Sequence, residues 1–292
     1  LSSICTYFIS RQALLPLRRL SQEVNQIEVQ NLSEALEVPA TNDEISRLTI
    51  SFNKMLARLD EAFTAQKQFS ANAAHELRTP LAVIQTNLEV FARREAPALK
   101  DYQEIFAMLQ EQTGRLSHLA EILLDMTGVQ TVERSERISL AALTDEVFCD
   151  LASVAEQKDV ELIQQEGDCI ITGSYLLLYR AVYNLVENAI KYNHSGGKVT
   201  VNIHLSEEIT NTSTSVNYVF LEVSDTGIGI PPEYQEKIFT PFFRVDKSRS
   251  RAMGGAGLGL ALVSEIVRQH NGQVKVLESS KKGSIIAIML PV

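Results

Sequence analysis

The constraint that most limits this chain is an unbroken run of apolar residues at alternating steps of three and four. Ile45, Leu48, Phe52, Met55, Leu59, Ala62, Gln66, Phe69 and Ala73 fall on one heptad seam. That period keeps one stripe facing a partner helix, the arrangement of helices that pack on copies of themselves. A capping box, Thr41 with Glu44 three residues on, marks where this helix starts. An earlier seam, Leu17, Leu20, Val24 and Ile27, opens behind Pro16 and is separated from the heptad helix by the aperiodic stretch 31–42, which contains Pro39. Two short helices cannot cover two apolar stripes alone, so a dimeric four-helix bundle is expected.

The seam resumes beyond Pro80, which removes one helical hydrogen bond and is expected to kink the helix, at Leu81, Ile84, Leu88 and Phe91. A returning helix carries Ile105, Leu109, Gln112, Leu116, Leu119, Leu123 and Met126. Residues 60–130 therefore read as a helical hairpin that again presents more apolar stripe than it can bury. After Gly128 the period changes. Short apolar runs at 168–172, 199–203, 218–223, 273–277 and 284–290 alternate with helical patterns at 142–157, 175–192 and 257–271, which is a mixed α/β domain. The polar run Ser206 to Asn217 reads as a surface loop between two strands.

Composition narrows the function classes. The 292 residues carry 27 Lys+Arg against 36 Asp+Glu, a net charge of -9, which excludes the dense basic face that nucleic-acid binding needs. Cys5, Cys149 and Cys169 form no CxxC pair, so neither a disulfide framework nor a zinc site is indicated, and a reducing cytoplasmic compartment fits. The apolar segment Leu1 to Ser10, followed by Arg11, Arg18 and Arg19, is too short to span a bilayer, and its basic residues lie on the wrong side for a signal peptide. It is read as the last turns of a transmembrane helix with the arginines on the cytoplasmic side; a frayed helix start is the competing reading.

Four motifs carry chemistry. His75 stands in Phe69-Ser-Ala-Asn-Ala-Ala-His75-Glu76-Leu-Arg-Thr79-Pro80, off the buried seam. An ordinary surface histidine is the competing reading, but Glu76 beside it can orient the imidazole or take its proton, which makes a competent nucleophile. Asn184, Asn188 and Lys191 recur at four and three on one helix face. Two amide oxygens suit a hard cation and an ammonium suits phosphate; a plain polar face competes. Asp225-Thr-Gly227-Ile-Gly229-Ile-Pro231 follows a strand, where a lone carboxylate can accept from an exocyclic amine and glycines admit a planar ring. Gly254-Gly255-Ala-Gly257-Leu258-Gly259 opens the last helix, and glycines at a helix N-terminus offer N–H groups to an anion. Neither a dinucleotide fingerprint nor a P-loop is present. Phe239-Thr-Pro-Phe-Phe-Arg244, aromatic then basic, reads as the arm of a lid.

These motifs, in this order, resemble the sensor histidine kinases of bacterial two-component systems. His75 to Pro80 is similar to the phosphoacceptor box, Asn184 to Tyr192 to the N box, Asp225 to Pro231 to the G1 box, Phe239 to Arg244 to the F box and Gly254 to Leu260 to the G2 box. The resemblance divides the chain into the truncated membrane helix (1–10), a HAMP linker (11–63), a dimerisation and histidine phosphotransfer domain (64–130) and a catalytic ATP-binding domain (137–292). It implies a multidomain fold: an all-α HAMP and hairpin forming a dimeric four-helix bundle, then an α/β sandwich of the gyrase, heat-shock chaperone and histidine kinase type.

The resemblance also implies roles. His75 is the expected phosphorylated residue, Glu76 its general base, and Thr79 positions water for dephosphorylation of the partner. Asn188 and Asn184 hold Mg2+, Lys191 and Tyr192 meet phosphate or ribose, and Asp225 reads adenine. Gly227, Gly229, Gly255, Gly257, Leu258 and Gly259 shape the ATP pocket, and Arg244, Lys247 and Arg251 are lid cations. Asn193-His194 departs from the family's usual Thr-Pro, and Ser174 stands where an acidic residue is common, although it can still cap a helix. His118, His194, His204 and His270 lack the neighbours of His75 and read as structural or exposed. The expected function is autophosphorylation of His75 from Mg-ATP and transfer to an aspartate of a response regulator, in a membrane-attached homodimer whose residues here are cytoplasmic. The alternatives are a clamp-type ATPase of the same nucleotide fold and a dimeric coiled-coil scaffold with a degenerate pocket.

Overall fold

The computed structural model describes residues 34–39, 44–128, 132–165, 167–209, 215–245 and 256–292. The first expected helix, the capping residues Thr41 to Asp43 of the heptad helix, the apolar start, and Cys5, Lys247, Arg251, Gly254 and Gly255 lie outside the described residues. The chain divides into two units, Leu1–His75 and Glu76–Val292. The boundary falls within helix α1 (Glu44–Ala92). Among the described residues no helix is long and apolar enough to cross a membrane.

In the first unit Leu36 and Leu56 are buried together, with Ile45 and Phe52 packed on them. The Asn53 amide accepts from the Leu36 N–H and donates to the Leu36 carbonyl, both at 2.9 Å, so one side chain satisfies both backbone groups of Leu36. Ser46 donates to the Pro39 carbonyl at 2.8 Å. The described part of the expected connector thus has a fixed course.

The second unit begins with the rest of α1, unbroken through Pro80, and helix α2 (Leu99–Gly128). Asp101 accepts from the Ala98 N–H at the start of α2 and pairs with Arg94; the backbone bond, then Arg94, hold its carboxyl below the usual range. Phe91 and Tyr102 meet edge to face at 5.0 Å.

The α/β part runs β1 (Glu136–Ser139), α3 (Leu140–Gln157), β2 (Val160–Gln164), β3 (Ile170–Gly173), α4 (Tyr175–Lys191), β4 (Gly197–Ile209), β5 (Ser215–Asp225), two short 3-10 turns (Pro232–Tyr234, Lys237–Phe239), α5 (Gly259–Gln269), β6 (Gln273–Ser280) and β7 (Gly283–Pro291). One sheet has the order β2-β4-β5-β7-β6, with β2 parallel to β4 and the remaining pairs antiparallel; β1 and β3 form a separate antiparallel ribbon. The core lies where one sheet face meets the helices: Val201, Leu221 and Ile288 of the sheet and Leu143, Leu151, Leu185, Val186, Val263 and Ile266 of the helices are almost fully buried.

One expectation is corrected. The run 206–217 is not a loop throughout, because β4 and β5 continue pairing from Ser206↔Tyr218 to Ile209↔Ser215. The antiparallel ladder is made by backbone groups, so polar side chains do not end it. The apolar run at 168–172 yields β3, but paired with the unforeseen β1 and not with the main sheet. Helix starts follow their caps. Ser139 accepts from the Ala142 N–H at 3.1 Å, and Asp168 takes the Ala141 N–H at 3.0 Å, so α3 begins two residues earlier than its apolar pattern.

Candidate nucleotide site

The site forms where α4, the end of β5 and the N-terminus of α5 converge. Ser174 caps α4, its hydroxyl accepting from Leu177. Three residues of the polar row follow in register. Asn184 donates to the Arg180 carbonyl at 2.8 Å and Asn188 to the Asn184 carbonyl at 2.7 Å. Each amide thus spends an N–H on its own helix, and the carbonyl oxygen is what it has to offer a cation. The start of α5 crosses this row so closely that a Cβ on Gly259 would lie 2.5 Å from Asn184 Oδ1. At the other end of the pair, the buried His270 imidazole accepts from the Ser174 N–H at 3.1 Å and has its second nitrogen 2.8 Å from the Ile266 carbonyl. The two helices are therefore pinned at both ends.

Lys191, in the last turn of α4, has its pKa lowered, first by burial, against the opposing pull of Glu187. Lys158 donates to the Ile190 carbonyl at 3.5 Å and to the Lys191 carbonyl, neutralising the carbonyl end of α4. Asp225 closes β5; burial raises its pKa, while the backbone N–H groups of Gly227, at 2.7 Å, and Ser284 oppose the rise. The loop after it turns at Gly229, whose φ of 73° and 1.8 Å approach of a virtual Cβ to the Ser280 carbonyl exclude any other residue. Asn193 is buried and holds this corner: it donates to the Lys198 carbonyl and accepts from Thr226 and from the His194 N–H. Phe242 donates to the Gly257 carbonyl at 2.8 Å, which joins the aromatic arm to the glycine turn before α5.

Together these elements enclose a cavity of about 720 Å³, within the size range of small-molecule sites. Of the residues expected to bind ligand, Asn184, Asn188, Lys191, Tyr192, Asp225, Gly229, Arg244, Gly257, Leu258 and Gly259 line it. Gly227 does not; its absent Cβ lets the Tyr192 carbonyl approach within 2.4 Å of the position a Cβ would take. The donor set fits a magnesium nucleotide: amide oxygens for the cation, an ammonium and a guanidinium for phosphates, and a half-buried carboxylate with apolar neighbours for a base. His118 is exposed, in line with the expectation, and it also lines the cavity from α2 together with Ile122. Neither it nor Lys158 belongs to a local sequence pattern.

His75 and Thr79 are exposed positions of α1, and Glu76 is half-buried. The Glu76 carboxylate is held by Arg244 at 3.3 Å. The residue expected to serve the imidazole is thus engaged by an expected lid cation.

Three family models match successive stretches: the HAMP domain over residues 8–61, the His Kinase A (phospho-acceptor) domain over 65–131, and the Histidine kinase-, DNA gyrase B-, and HSP90-like ATPase over 173–292. Sensor histidine kinase CusS of Escherichia coli O6:H1 is 31% identical over 279 residues, covering 94% of this chain and 56% of the relative. Signal transduction histidine-protein kinase ArlS of Staphylococcus aureus is 30% identical over 296 residues, covering 99% of this chain and 63% of the relative. The chain therefore spans less than two thirds of the length of either. The fold is similar to that of histidine kinase ThkA in a complex with response regulator protein TrrA, with TM-score 0.60 and 22% identity over 85% of this chain and 68% of that one. By these three domains and these relatives, the chain belongs to the sensor histidine kinases.

Proposed function

We propose that the chain is an ATP-dependent protein-histidine kinase. A ring nitrogen of His75 attacks the γ-phosphorus of ATP; the N–P bond forms as the bond to the bridging oxygen breaks, and ADP leaves with that electron pair. Glu76 takes the imidazole proton. Asp225 reads the base and Lys191 and Arg244 meet the phosphates. Asn184 and Asn188 would hold Mg2+, which supplies charge neutralisation of the phosphates. The phosphoryl group then passes to an aspartate of a response regulator, which regenerates His75, and Thr79 positions water for the reverse, dephosphorylating role. Lys247, Arg251 and Gly255 belong to the same proposed pocket. The enzyme works as a homodimer, attached to a membrane with these residues on the cytoplasmic side, as the apolar segment Leu1 to Ser10 and its following arginines suggest.

One observation carries this reading: a phospho-acceptor domain containing His75 and a nucleotide-binding domain occur in one chain. A clamp-type ATPase has no use for the first. Incubation with γ-labelled ATP is expected to give acid-labile, alkali-stable label on the wild-type chain and none on His75→Gln, with nucleotide binding intact in both. Label retained on His75→Gln would overturn the assignment.

A further inference from the structure

Helix α2 of the hairpin lies on the nucleotide domain. It packs against α5, and its Leu119 and Ile122 are only 5% and 6% exposed. One turn further along, Asp125 forms an ion pair with Arg180 of α4. Arg180 sits one turn before Asn184, whose amide donates to its carbonyl. Neither Asp125 nor Arg180 lines the cavity. In this same arrangement Glu76 is paired with Arg244, which is 10% exposed. A carboxylate occupied by a guanidinium is withheld from an imidazole, and a guanidinium occupied by a carboxylate is withheld from phosphate, so the arrangement is a resting one.

We propose that the Asp125–Arg180 ion pair is the latch of this resting arrangement: it fastens α2 to α4 and so keeps Glu76 on Arg244. The inference rests on the kinase reading above and names two positioning residues outside the chemistry. The pair is partly shielded, with side-chain exposures of 16% for Asp125 and 34% for Arg180, where opposite charges attract more than on an open surface. Opening it frees both groups at once, because the two ion pairs join the same hairpin to the same domain. A latch differs from a structural contact in sign: its removal speeds the reaction.

The test is the initial rate of His75 phosphorylation in the full chain at saturating Mg-ATP. Asp125→Asn and Arg180→Gln are each expected to raise it about fivefold or more, in kcat and not in KM for ATP. The charge exchange, Asp125→Arg with Arg180→Asp, is expected to return it toward the wild-type rate. Single variants that phosphorylate no faster than wild type while binding nucleotide normally overturn the latch. Where a single variant binds nucleotide poorly, its rate is taken at an ATP concentration that saturates it: a rate above wild type that the charge exchange brings back down supports the latch, and a rate at or below wild type overturns it. A wild-type chain that never carries phosphate on His75 overturns the kinase reading instead.

Discussion

Helices α1 and α5 differ in what they can bury. The 49 residues of α1 bury only Ser46, Thr49 and Leu56, whereas the 11 residues of α5 bury Ala261, Leu262, Val263, Ile266 and Val267. Leu48, Met55, Leu59, Phe63, Leu81 and Leu88 remain exposed along α1 in the single chain. A helix laid on a sheet is completed by its own domain. The described residues leave the α1 stripe uncovered, which is why the heptad argues for the proposed dimer.

The comparison breaks first in the core. Ile266→Ala is expected to cost about 2–5 kcal/mol, read as a lower melting temperature of the α/β domain that does not depend on protein concentration. Asp225→Asn is expected to leave that melting unchanged but to weaken nucleotide binding roughly 10- to 100-fold, because it removes the carboxylate acceptor from a half-buried site; titration with a fluorescent nucleotide checks it. Leu59→Ala is expected to act through association, weakening self-association about tenfold in sedimentation and leaving the α/β melting in place. A concentration-independent loss of α/β stability in this variant would erase the distinction between the two regions.

The smallest effect concerns pH. Burial lowers the pKa of His270 below its ordinary 6.5, Arg134 adds to the drop, and the Ile266 carbonyl opposes it. Folding therefore favours the neutral ring. This contribution is complete above pH 6.5 and is lost as pH falls below that unfolded-state value. Protonation also turns an N–H toward the Ser174 N–H it now accepts from. Melting of the α/β domain is expected to fall between pH 7.5 and 5.5 more steeply in wild type than in His270→Gln.

Legibility followed the range of the interaction. Helices with one apolar face and the strands from 199 onward were readable because period reports burial locally. The strands β1 and β2 were not, since Glu136–Ser139 holds one apolar residue and Val160–Gln164 an interrupted run, and both owe their pairing to β3 and β4. In the site, the glycine turns and the Asn184, Asn188 and Lys191 row were legible because backbone approach and helical spacing restrict the residue type. Lys158 at the end of α4, the Asp125–Arg180 pair and His118 in the cavity wall were not. Each joins residues far apart in sequence whose meeting only packing decides. Glu76 was legible as a carboxylate beside His75 but not as a partner of Arg244, 168 residues away.

In the proposed kinase the nucleotide site serves His75. After incubation of the wild-type chain with Mg-ATP, phosphosite mapping under alkaline conditions tests it most directly. Phosphate is expected on a ring nitrogen of His75, lost in acid and absent from Asp225→Asn at limiting ATP. Phosphate released with no phosphoenzyme, or found only on another residue, would contradict it.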